Sequence, residues 1–422
     1  MKIGFLSMPL SDHLNPMTAL ARRLQSRGHE IMFIGIPDVE YAVRAAGLMF
    51  LPYCEEEYPA GSMARILTPA AKMRGLPLLD FAHRELIPGL IEAAFKHLPG
   101  KLIEAGVEAL VIDTIHMFAE LVPMKLGIPY LHIWVVLHAD TSGATPLMYF
   151  DWPYENTPEA RARNLGGWKM VESSMMPPVI SVAQDYANAN GQDIDCNNPI
   201  GTYSKLAVIT QTPKEFDFPG AAQSACVHYA GPLHDDEGRE HIDFPWEELK
   251  HDKTLIYASL GTLVNGLEEI YRVILKSAGD FPEIQFVISA GVNVNLDDLE
   301  PIPPNAIVVD RAPQLELLKS AALCITHAGL NTTLETLAQG VPMVAIPLGF
   351  DQPGVASRIA YHGVGEFVAV DRLTAAHLSG LIATVLNDPA YRDKARTLQA
   401  AITHTPGLDI ASDIIEEALE DQ

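Results

Sequence analysis

Residues 310–352 read DRAPQLELLKSAALCITHAGLNTTLETLAQGVPMVAIPLGFDQ, and the order of patterns within them decides the fold. Leu323 to Thr326 form the short apolar run of a buried strand. His327-Ala328-Gly329 follow as a tight turn, and Leu330, Leu334, Leu337 and Ala338 then recur at helical spacing. Gly340 fits the position just past a helix, and Val341 to Ile346 begin a second buried strand. Pro347 to Gln352 follow as a loop at that strand's carboxyl end, the edge where open α/β sheets bind ligands.

Strand, turn and helix start together make a site for a phosphorylated ligand. The first N–H groups of a helix have no partner within it, and the macrodipole adds positive potential there. Gly329 lets an anion approach the backbone, while His327, Asn331, Thr332 and Thr333 are candidate donors. Thr332-Thr333-Leu334-Glu335 also matches a capping box, in which Glu335 serves only the backbone. The ligand reading rests on the conjunction of all these parts in one short stretch.

The stretch resembles the donor-binding signature of glycosyltransferase family 1, the UDP-glycosyltransferases. Pro313-Gln314, His327 to Thr332, Glu335, Gly340-Val341-Pro342 and Asp351-Gln352 fall in the family's order and close to its spacing. The resemblance implies that uracil lies against Arg311, Ala312, Pro313 and Gln314, and that His327 with Gly329, Leu330, Asn331 and Thr332 holds the diphosphate. It also implies that Glu335 contacts the ribose and that Asp351 and Gln352 grip the sugar. Two positions depart from the pattern. Arg311 stands where the family often has a tryptophan stacked on uracil, a task a guanidinium plane also performs, with some loss of selectivity. Ala328 replaces the family's second glycine.

At the amino end, residues 3–8 read as a buried strand, followed by Asp12-His13-Leu14-Asn15-Pro16 before an amphipathic helix that runs to about Arg27. Ala109 to Ile112 read as another strand with Asp113 directly after it, so His13 and Asp113 are expected to face one cleft. A histidine backed by a buried carboxylate can take a proton from a hydroxyl, because the carboxylate fixes the tautomer and stabilises the imidazolium. The plainer alternative has His13 capping a helix and Asp113 as a loop carboxylate. The family is similar at both places, with a catalytic histidine and an aspartate partner, although it usually has glycine where this chain has Asp12. A carboxylate at Asp12 would raise the base's pKa or bind an acceptor hydroxyl.

The resemblance implies a single inverting displacement, metal-independent and without a cofactor. His13 deprotonates the acceptor, and the diphosphate's charge meets the helix start and the Ser259-Leu260-Gly261-Thr262 turn. UDP-glucose is the expected donor, used as a co-substrate.

The chain has 422 residues, too long for one ordinary domain. Residues 1–230 form one strand-and-helix series, 231–253 a linker rich in Gly, Pro, His and acids, and 254–407 a second series. Residues 408–422 read as a helix that, by the resemblance, packs back on the first domain. The expected fold is α/β, two doubly wound Rossmann-like domains facing a cleft, the arrangement called GT-B in this family.

With 29 basic and 53 acidic residues, the net charge of −24 disfavours nucleic acid and anionic membranes. The amino-terminal apolar run is too short for a secretory signal, and no run is long enough to span a membrane. Cys54, Cys196, Cys226 and Cys324 lack metal spacing and suit buried thiols in a reducing, cytoplasmic setting. Asp235-Asp236 and Asp297-Asp298 read as solvated acidic pairs.

Residues 134–176 depart from regular periodicity and concentrate large apolar side chains, among them Trp134, Met148 and Phe150. They line a pocket for an apolar alcohol or phenol or else form a satellite core under a long loop. Three rival readings stand beside the main one. A nicotinamide oxidoreductase lacks its glycines here, since the first turn reads Met8-Pro9-Leu10-Ser11-Asp12. A non-catalytic helper subunit of the same fold has no need of a base that this chain keeps. A TDP-sugar transferase is compatible with Arg311.

Overall fold

The structure is a computed structural model that describes residues 1–220, 227–235, 242–250 and 252–420. Cys226, Asp236 and parts of the 231–253 linker lie outside the described residues. Seven strands form the first sheet: β1 (Lys2–Leu6), β2 (Glu30–Gly35), β3 (Met49–Pro52), β4 (Ala109–Asp113), β5 (Tyr130–Trp134), β6 (Val208–Thr210) and β7 (Val227–Tyr229). Six form the second: β8 (Thr254–Ser259), β9 (Ile284–Ser289), β10 (Ala306–Val309), β11 (Ala321–Thr326), β12 (Met343–Ala345) and β13 (Gly365–Phe367).

The orders are β3-β2-β1-β4-β5-β6-β7 and β10-β9-β8-β11-β12-β13. Every described strand pair is parallel, so helices cover both faces and the strands read as continuous apolar runs. Side-chain alternation sorts each strand between two cores. Ile3 and Phe5 of β1 pack with Leu20 and Leu24 on one face, while Leu6 and Ile112 pack with Leu90 and Ile91 on the other. In the second sheet, Tyr257 and Cys324 meet Leu334 and Ile359, and Ile256 and Ile325 meet Ile274 and Ile382.

The last helix, Gly407–Glu420, lies on the first sheet's side, burying Leu408, Ala411 and Ile415 beside Leu24. Arg27 fixes it there through Asp409 at 3.0 Å and Glu416 at 2.7 Å.

A second crossing joins the halves. Helix Gln352–Tyr361 follows β12, yet it is held by the first half: Gly354 N–H donates to Met148 O at 2.9 Å and the Ser357 hydroxyl to Trp152 O at 2.8 Å. Arg358 places Nε and Nη2 at 3.0 and 2.7 Å from Asp217 Oδ1, with all groups buried. Tyr229 donates to the other oxygen of Asp217 at 2.6 Å. In return, the segment around Ala71 and Gly75 of the first half reaches across, accepting from Gly266 N–H at 3.0 Å and donating to Leu348 O at 2.6 Å.

Two expectations need correction. The first helix spans Ser11–Ser26, so His13 lies inside its first turn, not ahead of it. Residues 158–174 form a helix within the stretch read as irregular, begun by Thr157, whose hydroxyl accepts from Ala160 N–H, and by Pro158. Its buried positions are Ala160, Asn164, Gly167 and Val171, so small and polar that they leave no visible apolar stripe.

Candidate active site

Both sheets reverse their winding between two central strands, β1 and β4 in the first and β8 and β11 in the second. A doubly wound sheet opens a crevice at that point, beyond the strands' carboxyl ends. The two crevices face each other across one cleft of about 610 Å³. His13 follows β1 and Asp113 ends β4; Ser259 ends β8 and His327 follows β11.

His13 Nδ1 sits 2.7 Å from Asp113 Oδ2. Asp113 is fully buried and already accepts N–H groups from Met8 at 3.1 Å and Ile115 at 3.0 Å, which fixes its orientation. A carboxylate only accepts, so Nδ1 carries the proton and Nε2 presents to the cleft that His13 lines. Burial works against a charged ring, but Asp113 and the nearby Asp12 outweigh it and raise His13 to about 9. Asp113 is held below the usual carboxylate range by His13 and its backbone donors, against the opposing effect of burial.

Pro16 explains how this helix touches the other half. Having no N–H, it leaves the Asp12 carbonyl without its helical partner. Asn331 fills the vacancy from across the cleft, with Nδ2 2.6 Å from Asp12 O. Its Oδ1 accepts from Gln211 at 2.8 Å, so the Asn331 amide, which also lines the cleft, is a clasp between halves. Ser11 and Thr262 hydroxyls meet beside it at 3.0 Å. Gln211 was not legible in the sequence; it is one polar residue in a loop without a motif.

On the donor side, the helix runs Leu330–Ala338 from a Gly329 cap that makes no side-chain bond. The capping-box alternative therefore fails, because Thr332 and Thr333 lie inside the first turn. Thr332 lines the cleft, whereas Thr333 is fully buried and does not, which removes it as a donor. His327 is half-buried, its Nδ1 is enclosed without a hydrogen-bond partner, and desolvation lowers the ring to about 4, so it is neutral. A side chain at Gly261 or Gly329 would come within 2.6 or 2.5 Å of His327 Nε2, so both glycines make room for that ring. The left-handed residue of the turn is Ala328, with φ 65°, and not Gly329, with φ −61°. Glycine is the relaxed choice there, and a non-glycine costs about 1 kcal/mol.

Gln314 Nε2 donates to Glu335 Oε2 at 2.6 Å, and Tyr257 donates to Gln314 Oε1 at 3.2 Å. These two residues line the cleft with Arg311 and Ala312, while Pro313 caps helix Gln314–Leu318 behind them. Asp351 and Gln352 lie at the cleft's other end. Gln352 Oε1 accepts from Leu348 and Gly349 N–H at 2.8 and 3.0 Å, which leaves its NH2 as the donor end of a residue that lines the cleft. Asp351 accepts from Leu137 N–H at 2.9 Å, and burial raises it to about 6.

The aromatic and methionine-rich stretch divides. Trp134, Met148, Tyr149, Trp168 and Met176 line the cleft. Phe150 does not: it stacks on Trp152 at 4.1 Å against Gly167, a satellite packing that keeps both rings out of the pocket. The pocket's facing wall is the helical run from Leu79 to Ile87, which sequence reasoning missed because its apolar pattern reads as ordinary core.

The fold is GT-B. The kitacinnamycin glycotransferase superposes with a TM-score of 0.76 at 20% identity, covering 99% of this chain and 98% of that one. The calicheamicin glycosyltransferase CalG4 gives 0.72 at 21%, covering 100% and 98%. The family model for UDP-glucoronosyl and UDP-glucosyl transferase matches residues 178–412. Demethyllactenocin mycarosyltransferase of Streptomyces fradiae is 31% identical over 99% of this chain and 86% of its own length. Zeaxanthin glucosyltransferase of Pantoea ananas is 27% identical over 98% and 95%. The chain belongs to glycosyltransferase family 1 and is a glycosyltransferase.

Proposed function

We propose that this chain moves a hexose, glucose by preference, from a UDP-sugar to a hydroxyl of an apolar small molecule, with inversion and without metal or cofactor. The observation that carries this reading is the His13–Asp113 pair at 2.7 Å, opening into the same cleft as the helix start at Gly329. His13 Nε2 takes the acceptor's proton, and the new C–O bond forms as the anomeric bond to the diphosphate breaks. Asp113 stabilises the resulting imidazolium. The departing charge is met by helix Leu330–Ala338, His327 and the Gly261 turn, dipoles that need no reorganisation. Arg311 and Gln314 are assigned to the base, Glu335 to the ribose, and Asp351 and Gln352 to the sugar.

The acceptor class follows from the pocket's apolar lining and accords with relatives named for zeaxanthin and demethyllactenocin. Three buried free cysteines, Cys54, Cys196 and Cys324, accord with work in the cytoplasm. No described helix is long and apolar enough to cross a membrane. A TDP-sugar is the second reading. Arg311 stands in the base site, and the similarly folded SsfS6 was solved with thymidine diphosphate.

The test is the melting temperature with UDP, TDP, ADP or NAD, followed by transfer assays with the sugar of the stabilising nucleotide. A ligand at about a hundred times its Kd adds roughly 2.7 kcal/mol. UDP stabilisation that His327→Ala weakens is expected; response to TDP alone selects the second reading, and response to NAD alone sinks both.

A further inference from the structure

His83 lies within the pocket wall, 3% exposed, on a single π-helical turn, Ala82–Leu86, between helices Gly75–Phe81 and Ile87–Ala105. Such a turn inserts one extra residue per helical turn and re-aims the side chains around it. Its neighbours Leu79, Ala82, Leu86 and Ile87 line the same cleft and are all apolar. His83 interrupts an otherwise greasy wall.

The ring's polarity is fixed. Nδ1 sits 2.8 Å from the Leu79 carbonyl, which only accepts, so Nδ1 carries the proton and Nε2 keeps its lone pair. Burial lowers the ring's pKa, so it stays neutral. No described residue donates to Nε2, yet Nε2 is not among the sealed, unpaired buried atoms. What little of His83 is exposed therefore faces the cleft it lines.

We infer that His83 is a specificity-determining residue whose Nε2 accepts a hydrogen bond from a second hydroxyl on the acceptor, remote from the hydroxyl that receives the sugar. The acceptor is then an apolar diol or polyol and not a simple alcohol. This rests on the glycosyl-transfer reading above. The bond is made equally in ground and transition states, so it acts on KM and leaves kcat unchanged.

The probes are the α,ω-alkanediols from 1,6-hexanediol to 1,12-dodecanediol and their mono-methyl ethers, whose flexible chains adjust to the span. In wild type, kcat/KM per reactive hydroxyl should favour the diol roughly fivefold at one chain length, the ordinary effect of one neutral hydrogen bond. His83→Phe should abolish that preference through KM, and His83→Gln, which keeps an accepting oxygen, should retain part of it. A UDP-dependent rise in melting temperature in each variant shows that the fold is intact. Transfer to both series without preference at any length in wild type overturns the inference, as does a preference that survives in folded His83→Phe. Transfer to neither series, with UDP stabilisation present, removes the alcohol-acceptor reading and this inference with it.

Discussion

His13 and His327 occupy matching places in the two halves, each just past a central strand's carboxyl end and each lining the cleft, His13 buried and His327 half-buried. Their proton affinities move in opposite directions. Desolvation lowers both and Asp12 raises both, but His13 also has Asp113 in contact and is raised, while His327 has no carboxylate in contact and is lowered. Enclosure alone therefore does not set protonation; the charge of the nearest partner does. One fold unit, used twice, yields a ring whose proton affinity is raised and a ring whose proton affinity is lowered.

The sharpest way to break this contrast is to delete each ring. His13→Ala should lower kcat by roughly 10²–10⁴-fold, the range for a general base, with UDP affinity unchanged in calorimetry. His327→Ala should instead weaken UDP binding roughly tenfold, and its pH profile should keep the wild-type shape. Equal loss of UDP affinity in the two mutants would erase the distinction.

The second handle is pH. A base must be deprotonated, and His13 titrates at about 9, so kcat/KM should climb with pH toward that value. Asp12→Asn removes a charge that raises His13, and the midpoint should then fall to lower pH. A midpoint that stays put would leave Asp12 outside the base's field.

The smallest expected effect concerns Asp351, a buried carboxyl held up at about 6. A carboxyl whose folded pKa exceeds its unfolded value contributes stability below the unfolded pKa and loses it as pH rises through the folded one. Asp351→Asn should raise thermal stability at pH 8, by on the order of 2 kcal/mol, and leave it unchanged near pH 3. On the proposed assignment of Asp351 to the sugar, donor turnover should fall in the same variant.

How far the sequence revealed this molecule depends on how locally each part is encoded. The donor turn was legible because strand, turn, helix and second strand follow one another within residues 321–352, each with its own periodicity. His13 and Asp113 are a hundred residues apart but each adjoins a strand, and parallel pairing of β1 with β4 brings them together. The apolar part of the cleft was only half legible. Trp134 and Met148 line it, Phe150 does not, and the choice is made by packing against Trp152 and Gly167, which no periodicity reports. Asn331 was half legible for a related reason. Its motif marks the cleft that it does line, while its partners Asp12 O and Gln211 lie in the other half and leave no local signal.

The buried Arg358–Asp217 pair has a bearing on how such enzymes can be recombined. A hybrid joined within the 231–253 linker takes Asp217 from one parent and Arg358 from the other. Where the parents differ at either position, one charge is left enclosed without its mate, at about 3–5 kcal/mol. The natural seam for exchanging the two halves is therefore not the linker alone. It includes helix Gln352–Tyr361, which has to travel with the half it grips.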